Sequence, residues 1–430
     1  MLKHWKRIVL VSIFLVMLLY ALLLIPTIQE RVGWRVAQWV GQLRTWLNPP
    51  EEVAFLAAVE ELPTPLPTIT PVATQEGSDV STASAANFPP LPSAVDLGGT
   101  TYFSQTNRWN YCGPANLAML LSFWGWDGTH DDVARVVKPY PKDKNVMPYE
   151  LADFARNHAD LGAIVRVGGD LDLLKRLIAN GFPVMVEKGP RFRDISYRIT
   201  WMGHYQVLTG YDDEKGVFIA QDSYIQPDYE QPYEELIIEW RSFNYTYLVA
   251  FPQHLQNDVL NLLGSAANEE ENYRTAAEKA AEEIYKLDGV DQFFAWYNYG
   301  TNLTNLRDYN GAANAYDQAF ALYSQLPADS TIRPYRILWY QTGPYFAYYY
   351  TGRYLDVVEL ATKNSIEMVR DDEPALEESY YWRGKARIAI GSREEGIEDF
   401  YSCLQYHPNF TPCVEELNNL GIFLYQTEVK

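Results

Sequence analysis

Prolines at positions 49, 50, 63, 65, 67, 71, 89, 90 and 92, mixed with Thr, Ser and Ala, make residues 49–98 a poor core former. Each fixes φ and withholds a backbone donor, so neither helix nor sheet propagates far through the stretch. The 430-residue chain must therefore divide there, with an extended, semi-rigid tether joining the segments on either side. No Lys or Arg occurs between Arg44 and Arg108, so the tether has no cation with which to cling to anionic lipid.

Upstream, Ile8 to Pro26 is an apolar run without charge, long enough to cross a hydrocarbon layer of roughly 30 Å. Lys3, Lys6 and Arg7 lie in the 1–7 tip before it, and basic residues are retained in the cytoplasm, so everything after Pro26 is expected on the far side. A cleavable signal peptide is the rival reading, but the flank Ile25-Pro-Thr-Ile-Gln-Glu-Arg31 lacks the small residues of a cleavage site. Over residues 27–48, Val32, Val36, Trp39, Val40, Leu43, Trp46 and Leu47 recur at helical steps with Arg35, Gln38, Gln42 and Arg44 between them. That pattern suits an amphipathic helix at the membrane interface, or one packed on another subunit.

Downstream of the tether, Cys112 opens an apolar helix in Tyr111-Cys-Gly-Pro-Ala-Asn-Leu-Ala-Met-Leu-Leu121, with Pro114 suited to the first turn. Unsatisfied N–H groups at a helix start favour thiolate over thiol, which makes a nucleophile. A small buried hydrophobe is the competing reading. A nucleophilic thiol needs a base. Of six histidines, His4, His254 and His407 are badly placed, His158 lies within a helical pattern, and His130 reads as a solvated helix-start residue. His204 remains, on a strand Gly203–Gly210 that turns at 211–216 and returns over 217–223. A turn centred near Asp213 sets His204 opposite Asp222, whose carboxylate could orient the imidazole, with turn residues Asp212 and Asp213 as rivals. Gln105 supplies an amide that could stabilise an oxyanion beside the Cys112 N–H.

The blocks Tyr102-Phe-Ser-Gln105, Asn110-Tyr-Cys112-Gly-Pro-Ala, Gly181-Phe-Pro-Val-Met-Val186, Gly203-His-Tyr-Gln-Val-Leu-Thr-Gly-Tyr-Asp212 and Phe218-Ile-Ala-Gln-Asp222 resemble the papain-like cysteine peptidase family 39. Its best-known members remove double-glycine leader peptides. The resemblance implies a papain-like fold over 99–253, with Gln105, Cys112, His204 and Asp222 as oxyanion donor, nucleophile, base and orienter. Leader-peptide cleavage is not implied, because nothing here resembles the transporter to which those members are fused. Many relatives follow the last aspartate with proline, where this chain has Ser223.

Over 254–430 the pattern turns helical, rich in Ala, Tyr, Leu and Glu. Trp296, Gly300, Ala312, Tyr316 and Ala319 resemble a tetratricopeptide repeat, and Tyr380, Gly384, Gly396, Phe400, Cys403 and Pro408 resemble a second copy. Gly352-Arg-Tyr354 would be the turn of a degenerate middle copy, and a helix over Val414–Tyr425 the cap. Such an array offers a concave surface for a protein or peptide, or serves as a spacer. Cys403 and Cys413 could pair or remain separate buried thiols.

The formal net charge of −20 argues against nucleic acid as a partner. No phosphate loop, zinc-type Cys/His spacing or dinucleotide fingerprint is present, so neither cofactor nor metal is expected. The expected fold is an α+β papain-like domain joined to an all-α tetratricopeptide-like repeat domain, with an N-terminal transmembrane helix. The expected protein is a single-pass, surface-exposed cysteine peptidase, its N-terminus cytoplasmic, acting on a peptide or protein while the repeats hold a protein partner. An acyltransferase with the same triad, or a non-catalytic peptide-binding scaffold, are the alternatives. Trp109, Tyr111, Trp201 and Tyr205 flank the site, as cleft lining or as packing.

Overall fold

The computed structural model describes residues 90–423 other than 109, 195–197, 330, 367–368 and 370–373, together with residues 35, 36, 39, 40 and 43. Those five are helical and exposed. The apolar run 8–26, most of the tether and Trp109 lie outside the described residues, among which no helix is long and apolar enough to cross a membrane.

An α+β domain comes first. Its elements are β1 (Ala94–Asp96), α1 (Cys112–Phe123), α2 (His130–Val137), α3 (Pro148–His158), β2 (Leu161–Arg166), α4 (Leu171–Ala179), β3 (Val184–Lys188), β4 (Arg191–Arg193), β5 (Ile199–Trp201), β6 (His204–Asp212), β7 (Val217–Gln221), β8 (Tyr229–Pro232), α5 (Tyr233–Arg241) and β9 (Tyr247–Pro252). The main sheet runs β2-β9-β3-β6-β7-β8, and β1 pairs with β6 beyond the end of β3. The sheet thus reaches back to Ala94, inside the stretch whose composition reads as tether.

Successive strand residues point to opposite faces of the sheet, and both faces are buried. Met185, Tyr205, Val207 and Leu248 pack under α1 and α3, while Val184, Val186, Leu208 and Val249 pack under α4 and α5. A short hairpin, β4–β5, stands beside the sheet.

The hairpin β6–β7 does not have the register expected from its turn. Val207 pairs with Gln221 and Leu208 with Ala220, and the register shifts by one between Leu208 and Gly210. Continued past Gln221, this places Asp222 across from Gln206 rather than His204. The displacement is two residues, an even number, so Asp222 still meets the face that carries His204.

All the remaining described elements are helical: α6 (Gln256–Leu263), α7 (Glu269–Lys286), α8 (Gly289–Asn305), α9 (Tyr309–Gln325), α10 (Ile337–Tyr340), α11 (Gly343–Tyr350), α12 (Tyr354–Glu359), α13 (Glu377–Ala389), α14 (Arg393–Tyr406) and α15 (Thr411–Asn419), with a π-helical stretch over Leu360–Ile366 and short 3-10 turns beside α6. A Cβ at Gly384 would lie 2.7 Å from Phe400 and 3.0 Å from the Gly396 carbonyl, so α13 and α14 approach too closely for any side chain there. Cys403 and Cys413 form a disulfide between α14 and α15. The last helix differs from the expected Val414–Tyr425: Pro412 lies in its first turn, and Gly421, at φ +80°, turns the chain away.

The helical region is docked on the α+β domain rather than standing clear of it. Trp201 and Phe243 share a core with Phe294, Tyr297 and Tyr316, and Asn244 and Asn302 exchange amide hydrogen bonds of 2.7 and 3.2 Å. Arg336 reaches Asp194 (3.2 Å) and Thr200 (3.2 Å), bracing the β4–β5 hairpin.

Candidate active site

Cys112 is the first residue of α1 and the free cysteine of the described chain. No side chain caps this helix and no acid lies in its first turn, so its N-terminal N–H groups retain their pull on an anion. His204 begins β6, and its Nε2 lies 3.0 Å from both Asp222 carboxylate oxygens. That bond commits Nε2 to the carboxylate, and the ring is also hydrogen-bonded with the Cys112 thiol.

The electrostatics are those of an ion pair in a dry setting. Burial pushes the Cys112 thiol up. The hydrogen bond and charge of His204, with the Tyr205 and Gly113 N–H groups, outweigh burial and bring the thiol below its ordinary value. Burial also opposes charge on His204, but Asp222 and Cys112 raise it to about 9. Burial disfavours the Asp222 carboxylate too, yet the charge and hydrogen bond of His204, with Lys188 and the Ile225 N–H, take it down to about 2. Each partner thus favours the charged form of the next.

Asp222 is fully supplied with donors. Besides His204, its Oδ1 accepts from the Tyr224 and Ile225 N–H groups (2.9 Å each) and its Oδ2 from Gln206 Nε2 (3.1 Å). Behind it, buried Lys188 donates to Gln231 (2.5 Å) and pairs with Glu239 (2.9 Å).

Gln105 is moored by Ser223: the Gln105 N–H donates to the Ser223 carbonyl (2.9 Å), and the Ser223 hydroxyl donates to Gln105 Oε1 (2.6 Å). The carbonyl end of the amide is therefore occupied, and the NH2 end makes no hydrogen bond among the described residues. Asn116, one turn into α1 and fully buried, ties the site together, its Nδ2 lying 2.9 Å from the Cys112 carbonyl, 2.7 Å from the Tyr205 carbonyl and 2.8 Å from Ser223 Oγ.

Of the aromatic residues that flank the site in sequence, the two most deeply placed are packing. Trp201 and Tyr205 are buried in cores. Tyr111 donates to Asp131 (2.6 Å) and packs edge-on against His130, which is wedged between Phe103 and Tyr111 rather than solvated. Phe192 instead lies edge-on to the His204 ring (5.1 Å) and stacks on Tyr224 (4.4 Å), which is exposed. Tyr340, from α10, fills the space beside Gly203, where a Cβ would meet its ring at 2.9 Å. Asn116 was detectable as a lone amide in an apolar run; Phe192 and Tyr340 carry no local signal.

An α+β domain with this arrangement, followed by a helical region, is similar to C39-like peptidase domains. Residues 99–248 match the model of the Peptidase_C39 like family. A crystal structure of a protein assigned as a C39-like peptidase from Bacillus anthracis aligns over 37% of this chain and 98% of its own, at 18% identity and a TM-score of 0.31. No curated protein matches the chain.

Proposed function

We propose that this protein is a membrane-anchored cysteine peptidase acting outside the cytoplasm. The observation that carries the reading is the His204 ring bonded through Nε2 to Asp222 and hydrogen-bonded also with Cys112, at an uncapped helix start. The thiolate adds to a peptide carbonyl, and the oxyanion is met by the Cys112 N–H and the Gln105 amide. The C–N bond breaks as His204 passes its proton to the leaving amine, which departs and leaves a thioester. His204 then takes a proton from water, whose oxygen attacks the thioester, and the thiolate is regenerated with release of the acid.

The apolar run 8–26 is the proposed anchor, and the Cys403–Cys413 disulfide suits the oxidising side of a membrane. The helical region, tetratricopeptide-like in its glycine and aromatic spacing, is the proposed holder of a protein partner. Its Trp201-facing surface is already occupied, so the partner would use the surface that the α+β domain leaves uncovered.

The test is iodoacetamide labelling of the full chain across pH. Rapid modification of Cys112 at mildly acidic pH, abolished in His204→Ala, is expected. A labelling profile that rises only near the ordinary thiol value of about 8.5 would overturn the reading.

A further inference from the structure

Besides the thiol site, the two regions share a second cluster of titratable groups where they meet. Asp143, Glu377 and His407 each present an atom, and these atoms lie within 4.8 Å of one another. His407 Nδ1 is 2.9 Å from Glu377 Oε1 and 3.9 Å from Glu150 Oε1. Asp143 and Glu150 come from the α+β domain, one in the loop after α2 and the other in the first turn of α3. Glu377 opens α13 and His407 follows α14.

The cluster is incompletely satisfied. Asp143 is 2% exposed and Glu377 1%, yet Asp143 Oδ2 and Glu377 Oε2 have no hydrogen-bond partner among the described residues. Of the two buried lysines beside Asp143, Lys138 donates its Nζ to the Asp143 backbone carbonyl (2.7 Å) and Lys144 donates its Nζ to the Lys142 carbonyl (3.3 Å). The Asn145 N–H on Asp143 Oδ1 (3.2 Å) and the Met147 N–H on Glu150 Oε2 (2.7 Å) occupy other oxygens. Buried carboxylates left this way are costly unless a cation joins them.

We propose that Asp143, Glu377 and His407, with Glu150 alongside, bind one divalent transition-metal ion that staples the helical region to the α+β domain. Imidazole nitrogen with carboxylate oxygens is a donor set suited to Zn²⁺ and its neighbours, whereas Ca²⁺ and Mg²⁺ prefer oxygen alone. No sequence spacing announces the site because its ligands come from both regions. Its reach extends toward the catalytic loop: Asn110, two residues before Cys112, donates to the Asp143 carbonyl (2.8 Å).

The test uses the full chain carrying Cys112→Ala, which removes the thiol as a competing zinc ligand. The protein is stripped with chelator, offered ZnCl2, dialysed and assayed for bound metal and thermal midpoint. Retention of about one Zn²⁺ per chain with a raised midpoint is expected, falling roughly tenfold or more in both Glu377→Gln and His407→Ala. His407, partly exposed, provides the variant least prone to misfolding should Glu377→Gln fail to fold. No retained zinc, retention unaltered by His407→Ala, or stabilisation by Ca²⁺ but not Zn²⁺ would each overturn the assignment.

Discussion

Asp222 and Glu377 are both buried carboxylates bonded to a histidine, and their surroundings could hardly differ more. Asp222 receives the imidazole, two backbone N–H groups and a glutamine amide, so its charge is matched on every side. Glu377 lies near Asp143, Glu150 and Glu378, and among the described residues one of its oxygens has nothing to accept from. A closed network needs nothing further and works by being rigid. An open one at a junction between regions is a place for something to bind, and on the readings proposed above the same residue types would serve as a proton relay in one case and a ligand set in the other.

Breaking the closed network should produce the largest effect. His204→Ala removes the counter-charge of the thiolate, and iodoacetamide labelling of Cys112 at pH 6 is expected to fall roughly a hundredfold. Equal labelling of the two proteins would leave the thiol an ordinary cysteine.

The contrast is sharpened by charge removal at each carboxylate. Asp222→Asn strands a buried imidazolium and should cost roughly 3–5 kcal/mol in denaturant unfolding. Glu377→Gln in metal-stripped protein keeps its bond to His407 and relieves repulsion from Asp143, so a change within about 1 kcal/mol of zero is expected. Similar losses in both variants would erase the distinction between the two clusters.

A third effect is read by titration. His204 is raised to about 9 from an unfolded value near 6.5. The folded state therefore holds the proton longer: the stabilisation is whole below about pH 6.5 and is lost as pH rises through 9. For Asp222, lowered to about 2, the stabilisation is present above the ordinary carboxyl value and is lost as pH falls through 2. Between pH 6.5 and the ordinary thiol value of about 8.5, the proton that His204 takes up on folding is offset by the one Cys112 gives up, so unfolding free energy should stay nearly level there and then drop as pH rises through 9. In Asp222→Asn most of that drop should vanish, which separates it from the titration of other groups.

The distinction between the clusters also explains how much could be read from residues in order. Cys112, His204 and Asp222 were legible because each lies at a local landmark: a helix start, a strand start and a strand end. The hairpin register was misjudged by two residues around a bulge, yet an even slip preserves the face and so preserved the pair. Long-range placement was not legible. Trp201 lies close to His204 in the chain but packs on Phe243 and Phe294, because the helical region covers it. Tyr340 and the Asp143–Glu377–His407 set depend on how that region docks, which no spacing within 430 residues encodes.

The smallest expected effect concerns the residue that moors Gln105. Ser223 follows Asp222, and its hydroxyl accepts from Asn116 (2.8 Å) while donating to Gln105 (2.6 Å). A proline there would have no hydroxyl for that link, so in this chain the Gln105 amide is set by a hydrogen-bonded strut from α1. Ser223→Ala should cost about 1 kcal/mol of stability and, by loosening the oxyanion donor, roughly tenfold in kcat with little change in KM. Because Ser223 touches neither the Cys112 sulfur nor His204, the labelling rate of Cys112 should remain that of the unaltered chain. A fall in labelling equal to the fall in kcat would place Ser223 within the ion pair instead of behind the oxyanion donor.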